Sequence, residues 1–437
     1  MRIKEFITNQ WAAYADYDNR RSLPHVMDGL KITQRKAMYA ATKLPKGDKP
    51  IKVSQFASKA AELTAYHHGD TSMISTIVGL AQDYPGSNNY PLLEKHGQFG
   101  SRLSNEAAAP RYIHVKISKN WDKFFKENDQ DIVEYLYDDG EKVEPKYFIP
   151  VIPTILLNGC DGVGNGFKSK ILNYDVPDVV RALNEVIAKG KVVTPLIPKI
   201  VGWTGTIEKV DKQVIFKGVI KKINSTKLHI TELPPSYDNE KYKKLLNKLI
   251  DDKFIKDYEN RSTEDKWDWY IDCPRDTAGL DHEILLEKFG LIYKTSENFV
   301  CWGMNDSAPI TFDSPEALVE YWYTHRLELY QKGLDNEIAK VKTEILTADL
   351  KMRFIKWCLK HDFRELTKAE FIERVQNEVK KMTPEYANKF VAMPMYKITT
   401  DEIEILQKEI EQLVDHLDYL EHLQPIDVMK NNLKEFK

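Results

Sequence analysis

Residues 52–81 read KVSQFASKAAELTAYHHGDTSMISTIVGLA, and this run decides what the N-terminal region is. Lys52–Tyr66 is an Ala-rich helical stretch. His67-His68-Gly69-Asp70 interrupts it as a turn, and Asp70 is expected to N-cap the next helix. That helix carries Met73, Ile74, Ile77, Val78 and Ala81 on one face. Upstream, Leu30–Leu44 places Leu30, Ile32, Ala37, Met38 and Ala41 on a further helix. A helix, a Gly-containing turn and a second helix form the helix-turn-helix pattern, whose second helix enters a DNA major groove by its N-terminal end. Two helices and a Gly turn also occur in all-helical domains that bind no DNA, so the pattern alone leaves both readings open.

The whole chain has 437 residues and 50.7 kDa, too much for one ordinary core, so two to four domains are expected. Hydrophobic residues at 42% and charged residues at 30% exclude collagen-like, disordered and disulfide-scaffold classes. No apolar run is long enough to span a membrane. The N-terminal stretch has no apolar core of a secretory signal. Cys160, Cys273, Cys301 and Cys358 lie far apart without CxxC spacing, which suits a reducing cytoplasm and argues against structural zinc. Residues 1–119 hold 17 Lys/Arg against 10 Asp/Glu, although the chain as a whole carries −3. A basic N-terminal quarter on an acidic body points to a polyanion at one end, or to chance patchiness.

Three segments follow. Residues 1–140 hold the helix-turn-helix pattern and a turn-rich stretch over 85–119. Residues 141–312 shift toward strands, with Val214–Ile223 and Lys227–Leu233 alternating and Glu240–Asp252 helical, an α+β pattern. Residues 313–437 open on Ser314-Pro315-Glu316, a helix start with Ser as cap and Pro in the first turn. Leu327, Tyr330, Leu334, Ile338, Val341, Ile345, Ala348, Met352 and Ile355 then recur at steps of three and four. Ile403, Leu406, Ile410, Leu413, Leu417 and Leu420 do the same. These two seams are expected to form an antiparallel coiled-coil arm with a globular tip, or else two core helices of a compact domain. The fold class is thus α+β and multidomain.

Several stretches carry chemistry. Asn158–Gly166 is dense in Gly, but its GxGxG spacing departs from the dinucleotide fingerprint and no GxxxxGK[ST] occurs, so a tight turn with close backbone approach is expected there. His67 and His68 are adjacent and lack a third ligand at zinc spacing; contact with backbone phosphate at a helix start fits them better than a metal. Tyr112 follows Ala-Ala-Ala-Pro-Arg in a loop, where a Tyr is usually a packing residue. A Tyr oxygen can also attack phosphorus and form a phosphoester, and the adjacent Arg111 would supply charge for the transition state.

Six stretches in order resemble the type IIA DNA topoisomerases. They are Asn19–Pro24, Met27–Lys36, Ala65–Asp70, Gly97–Leu103, Ala109–Tyr112 and Ile149–Gly166. The HHGD form, Leu136–Asp139 and Met393-Pro394-Met395-Tyr396 look more like the eukaryotic enzyme than bacterial gyrase. A short separate chain of this kind is similar to the medium, breakage–reunion subunit of the T-even phage enzyme. The resemblance implies a winged-helix domain over 1–140, a tower domain over 141–312, and an arm ending in a dimer gate over 313–437. It implies Tyr112 as the nucleophile that forms a 5′-phosphotyrosine, assisted by Arg111 and by Arg21 donated across a homodimer. It implies that Lys31, Arg35, Lys36, His67, His68 and Thr71 hold DNA near the cut. Val163 matches the position where the family usually has Ile, a wedge between base pairs; Val is smaller.

The family's metal module, with its EGDS-like stretch and Asp-x-Asp pair, has no counterpart, and Asp129-Gln130-Asp131 lies in a charged loop. Mg²⁺ and ATP are therefore expected on a partner subunit that carries the ATPase and metal-binding modules. The expected function is ATP-dependent double-strand passage on duplex DNA, in the cytoplasm (the host's, if phage-encoded). A bacterial-type breakage subunit is one alternative. A non-catalytic dimeric helix-turn-helix regulator is the other.

Overall fold

A computed structural model describes residues 3–44, 49–305, 307–363 and 365–436. The chain divides into two compact units, Met1–Arg326 with Asn432–Lys437, and Leu327–Asn431. The first unit begins with a helical turn, α1 (Ile3–Glu5), a π-type stretch over Phe6–Trp11, and α2 (Ala12–Ser22). Three helices follow: α3 (Ile32–Thr42), α4 (Val53–Leu63) and α5 (Asp70–Ala81). Their buried faces, Ala37, Met38 and Ala41 of α3, Phe56 and Ala60 of α4, and Met73 and Ile77 of α5, make a small core. Gly69, in extended conformation, caps α5, and Asp70 is its first helical residue. The expected cap thus shifts by one position, and the Asp70 carboxylate sits in the first turn, where it favours the helix dipole.

A three-stranded antiparallel sheet completes this region. Its strands β1 (Ile51–Lys52), β2 (Leu93–His96) and β3 (His114–Ile117) run in the order β1-β3-β2. After α6 (Lys119–Phe124), the hairpin of β4 (Tyr135–Asp138) and β5 (Glu141–Pro145) turns on Asp139-Gly140, both at positive φ, as a two-residue hairpin turn requires. The apolar run Ile149–Leu157, which from its composition reads as a strand leading into the glycine stretch, is not one. Its last part is the short helix α7 (Thr154–Leu157), buried throughout. A wholly apolar run of this length satisfies either conformation, and tertiary burial decides. The glycine stretch then forms the hairpin of β6 (Cys160–Val163) and β7 (Lys168–Ile171).

The strand-rich expectation for the middle of the chain holds. Beyond α8 (Val176–Lys189), capped by the Asp175 side chain, come β8 (Thr206–Val210), β9 (Gln213–Lys217), β10 (Val219–Asn224) and β11 (Lys227–Glu232). They are followed by α9 (Asn239–Asp251), β12 (Asp257–Asn260), β13 (Trp269–Asp272), α10 (Arg275–Ala278), α11 (His282–Lys288) and β14 (Ile292–Ser296). One sheet is ordered β10-β11-β13-β12 and another β14-β9-β8. Leu228, Ile230, Trp269 and Ile271 of the first pack with Tyr242 and Leu246 of α9 and with Leu286 of α11 in one core. β15 (Phe299–Trp302) and β16 (Pro309–Phe312) form a last pair.

The helix α12 (Pro315–Lys360) starts where the Ser-Pro-Glu reading places it, with the Ser314 hydroxyl accepting from the Ala317 amide. In the second unit, its residues from Leu327 onward lie antiparallel to α15 (Thr400–His422). Lys342 pairs with Glu421 at 2.7 Å and Lys351 with Glu402 at 2.7 Å, which fixes the direction. Leu334, Val341 and Leu420 are buried against each other, with Ile338, Ile345, Leu413 and Leu417 around them. Between the two helices, α13 (Lys368–Glu378) and α14 (Pro384–Val391) close a core with Phe354, Trp357, Phe371 and Phe390. Last comes α16 (Pro425–Leu433).

Candidate active site and nucleic-acid interface

Tyr112 ends a tight turn just before β3, with its amide donating to the Ala109 carbonyl at 2.9 Å. The turn is braced from both sides. The α4 start holds it through Val53 N–H to the Ile113 carbonyl and Ser54 N–H to the Pro110 carbonyl. The Gly97–Leu103 stretch holds its approach: Ala108 N–H donates to the Gln98 carbonyl at 2.9 Å. Gly100 is required there, since its φ is +90° and a Cβ would lie 2.8 Å from the Asn105 carbonyl oxygen. Ile113 is buried beneath, yet Tyr112 itself is 69% exposed. Arg111 lies with its guanidinium carbon 5.5 Å from the Tyr112 ring centroid. A phenol on a hydrogen-bonded turn, exposed and beside an arginine, is unlike the buried packing tyrosine that composition favours.

A second group gathers around the α4–α5 turn. His68 shares a 2.7 Å hydrogen bond with the Tyr17 hydroxyl, and the Arg21 guanidinium carbon lies 5.7 Å from the Tyr17 ring centroid. Partial desolvation, and then the charges of Arg21, His67 and Lys36, push the His68 pKa below the usual histidine range. His67 is exposed and meets Asp138 of β4 at 3.2 Å. Thr71 is exposed in the first turn of α5, where free amides point outward. Arg21 and His67 thus lie near His68, and Thr71 follows in the first turn of α5. No hydrogen bond or ring contact among the described residues joins them to Tyr112.

Three of the expected DNA contacts are otherwise engaged. Arg35 is 5% exposed and does not face solvent. Its guanidinium donates to both Asp28 carboxylate oxygens at 2.8 and 3.0 Å and to the Leu30 carbonyl at 2.9 Å. It is an internal strut, and the expectation that it touches DNA is corrected. Lys36 is largely buried, donating to the Thr64 carbonyl at 2.6 Å and to Glu144 at 2.9 Å, so its charge acts on the site only from behind. Lys31 donates to the Asp161 carbonyl of the glycine hairpin at 2.7 Å.

That hairpin presents Val163, 68% exposed, and across its turn Phe167, 38% exposed. The expected close backbone approach is present, because Gly162 and Gly164 face the C-terminal end of α2. Sequence reasoning passed over Phe167, Tyr17 and Asp138. A large apolar residue next to a Gly turn was the available signal for the first; the other two are brought in by contacts far apart in sequence. In the Asp129-Gln130-Asp131 loop, which was not expected to hold metal, Asp129 is bound by buried Arg326 at 2.6 Å. Among the described residues, no three His, Cys, Asp or Glu side chains converge.

A braced, exposed tyrosine beside arginine, set in a three-helix and sheet region with a histidine turn and an apolar hairpin, defines a DNA-handling class of protein. The family of the DNA gyrase/topoisomerase IV A subunits matches residues 21–435, and the chain belongs to it. It is 32% identical to DNA topoisomerase 2 of Arabidopsis thaliana over 86% of its length, and 36% identical to that of Plasmodium falciparum over 80%. It spans 26% of either relative. Its fold is similar to the crystal structure of the Plasmodium falciparum topoisomerase II DNA-binding, cleavage and re-ligation domain. There the TM-score is 0.89 at 29% identity, covering 99% of this chain and 63% of that one. The likeness to eukaryotic enzymes noted in the sequence is thus met. No described helix is long and apolar enough to cross a membrane.

Proposed function

We propose that this chain is the breakage–reunion part of an ATP-dependent type II DNA topoisomerase of the split kind, as in T-even phages. The observation that carries the reading is Tyr112, exposed and braced next to Arg111. Residues 1–140 act as a winged-helix cleavage domain, 141–312 as a tower, and 313–437 as a coiled-coil arm. Exposed Met395 and Tyr396 suit a dimer gate at the arm's tip. The Tyr112 oxygen attacks the scissile phosphorus, a phosphotyrosine bond forms with the 5′ end, and the 3′ oxygen leaves with a proton. Reversal reseals the strand. Arg111, with Arg21 from the partner protomer of a homodimer, offsets the charge of the transition state. His67, His68 and Thr71 hold the backbone, Lys31 supports the glycine hairpin, and Val163 wedges between base pairs and bends the duplex.

The residues present do not fit a Mg²⁺ cage: among the described residues no three His, Cys, Asp or Glu side chains are grouped to hold an ion, and Asp129 is paired with buried Arg326. No step is therefore routed through a metal on this chain, and both Mg²⁺ and ATP belong on a partner subunit. The test is a denaturant trap of covalent protein–DNA adduct, with the partner present. The expected result is adduct with the natural chain and none with Tyr112→Phe, which keeps duplex binding. Adduct from the Phe variant overturns the assignment. Absence of adduct from the natural chain leaves a DNA binder without chemistry.

A further inference from the structure

The hairpin that presents Val163 is bolted to the same helix end that carries Arg21. Asn19, 5% exposed at the end of α2, donates its side-chain amide to the Asn165 carbonyl at the hairpin turn, 3.2 Å away. Its Oδ1 has no hydrogen-bond partner and presses on the hairpin: a Cβ at Gly164 would sit 2.2 Å from it. Beside it, a Cβ at Gly162 would sit 2.1 Å from the Ser22 carbonyl oxygen. Lys31 closes the other side through the Asp161 carbonyl at 2.7 Å. The helix end is itself fixed independently of that side chain. The Trp302 indole and the Leu23 amide both donate to the Asn19 carbonyl, at 3.1 and 3.0 Å, and Arg20 lies over the Trp302 ring at 4.4 Å. β7 is tied to the same neighbourhood through paired Lys170–Asn298 backbone bonds at 2.8 and 2.9 Å.

We infer that Asn19 is a positioning residue for DNA bending: its amide locks the Val163 hairpin to the end of α2, so that wedge and Arg21 move as one body. Burying a polar atom with no partner is unfavourable, and an apolar side chain would pack there more simply. The gain is direction. A wedge must resist the restoring force of a stacked duplex, and a two-stranded hairpin on its own is marginal. The two glycines follow from the same need, since only residues without a Cβ let the hairpin reach the helix end closely enough to be held.

The inference rests on the proposed wedge role of Val163, and the experiment separates the two. Bend angle is read by fluorescence energy transfer on an end-labelled duplex, alongside duplex affinity and melting temperature, with the full chain. Asn19→Ala is expected to lose bending as Val163→Ala does, while affinity stays within about threefold, because phosphate contacts dominate it. Gly164→Ala alone should also lose bending. In the double variant Asn19→Ala/Gly164→Ala the added methyl meets no amide, so the losses should not add. Reduced bending in Val163→Ala with normal bending in Asn19→Ala overturns the inference and leaves the wedge standing. Normal bending in Val163→Ala overturns both. If Asn19→Ala does not fold, Gly162→Ala replaces it; a folded Gly162→Ala with an undiminished bend overturns the inference equally.

Discussion

His68 shows how neighbours set a single residue's function. Its ring is held by Tyr17, and the surrounding Arg21, His67 and Lys36 keep its pKa below the histidine norm, with desolvation the larger cause. In the free protein that shift favours the neutral ring. A phosphate brought against it favours the charged form, so binding takes up a proton in the mildly acidic range. Duplex affinity is expected to rise as pH falls from 7.5 toward 5.5, on the order of a few-fold. His68→Gln should flatten that slope at constant salt; an unaltered slope removes His68 from the interface. The sequence showed which residue types mattered here and missed some of their partners. The role proposed for Tyr112 was legible only through the order of surrounding motifs, because nothing in AAAPRY distinguishes an exposed tyrosine from a packing one. Arg35 was expected at DNA from the family resemblance, which does not show Asp28, seven residues upstream, folded back beneath it across the Gly29 turn.

Elements were legible in proportion to their periodicity. The seams of α12 and α15 were visible because a three–four repeat sustained over many turns hardly arises except on a helix with one buried stripe, and their contacts follow the pattern. The α7 segment was not, since a short apolar run carries no period. The Asn19 tether was invisible for a different reason: it joins residues 146 positions apart. The seam makes a sharp prediction at Leu420, 4% exposed between Leu334 and Val341. Leu420→Glu buries a carboxyl with no cationic partner in that cluster. A cost of about 2–4 kcal/mol to the second unit is expected. Calorimetry should show its transition lowered and the first unit's largely retained. An unchanged melting profile would mean that the helices do not depend on this contact.

At the scale of the whole molecule the question is what one chain can do alone. The proposed transfer of phosphorus to Tyr112 needs a positioned phosphate, charge for the transition state and stabilisation of the leaving 3′ oxygen. The first two have candidates on this chain: Arg111, Arg21 and the histidine turn. For the third, no three His, Cys, Asp or Glu side chains are grouped to hold an ion among the described residues, and Asp129 is paired with a fully buried arginine. Asp129 is held at 2.6 Å by the guanidinium of the fully buried Arg326, so this ion pair is not a reserve metal ligand. The isolated chain is therefore expected to bind duplex DNA with steep salt dependence and to leave it uncut, with or without Mg²⁺ and ATP. Adding a partner that carries the acidic cluster should restore cleavage with Mg²⁺ alone, and repeated strand passage only with ATP. The assay is plasmid relaxation and linearisation by the purified chain, stopped with detergent and protease. Linear DNA formed by this chain and Mg²⁺ with no partner would place the metal site here after all, and Asp129 would be the first residue to replace.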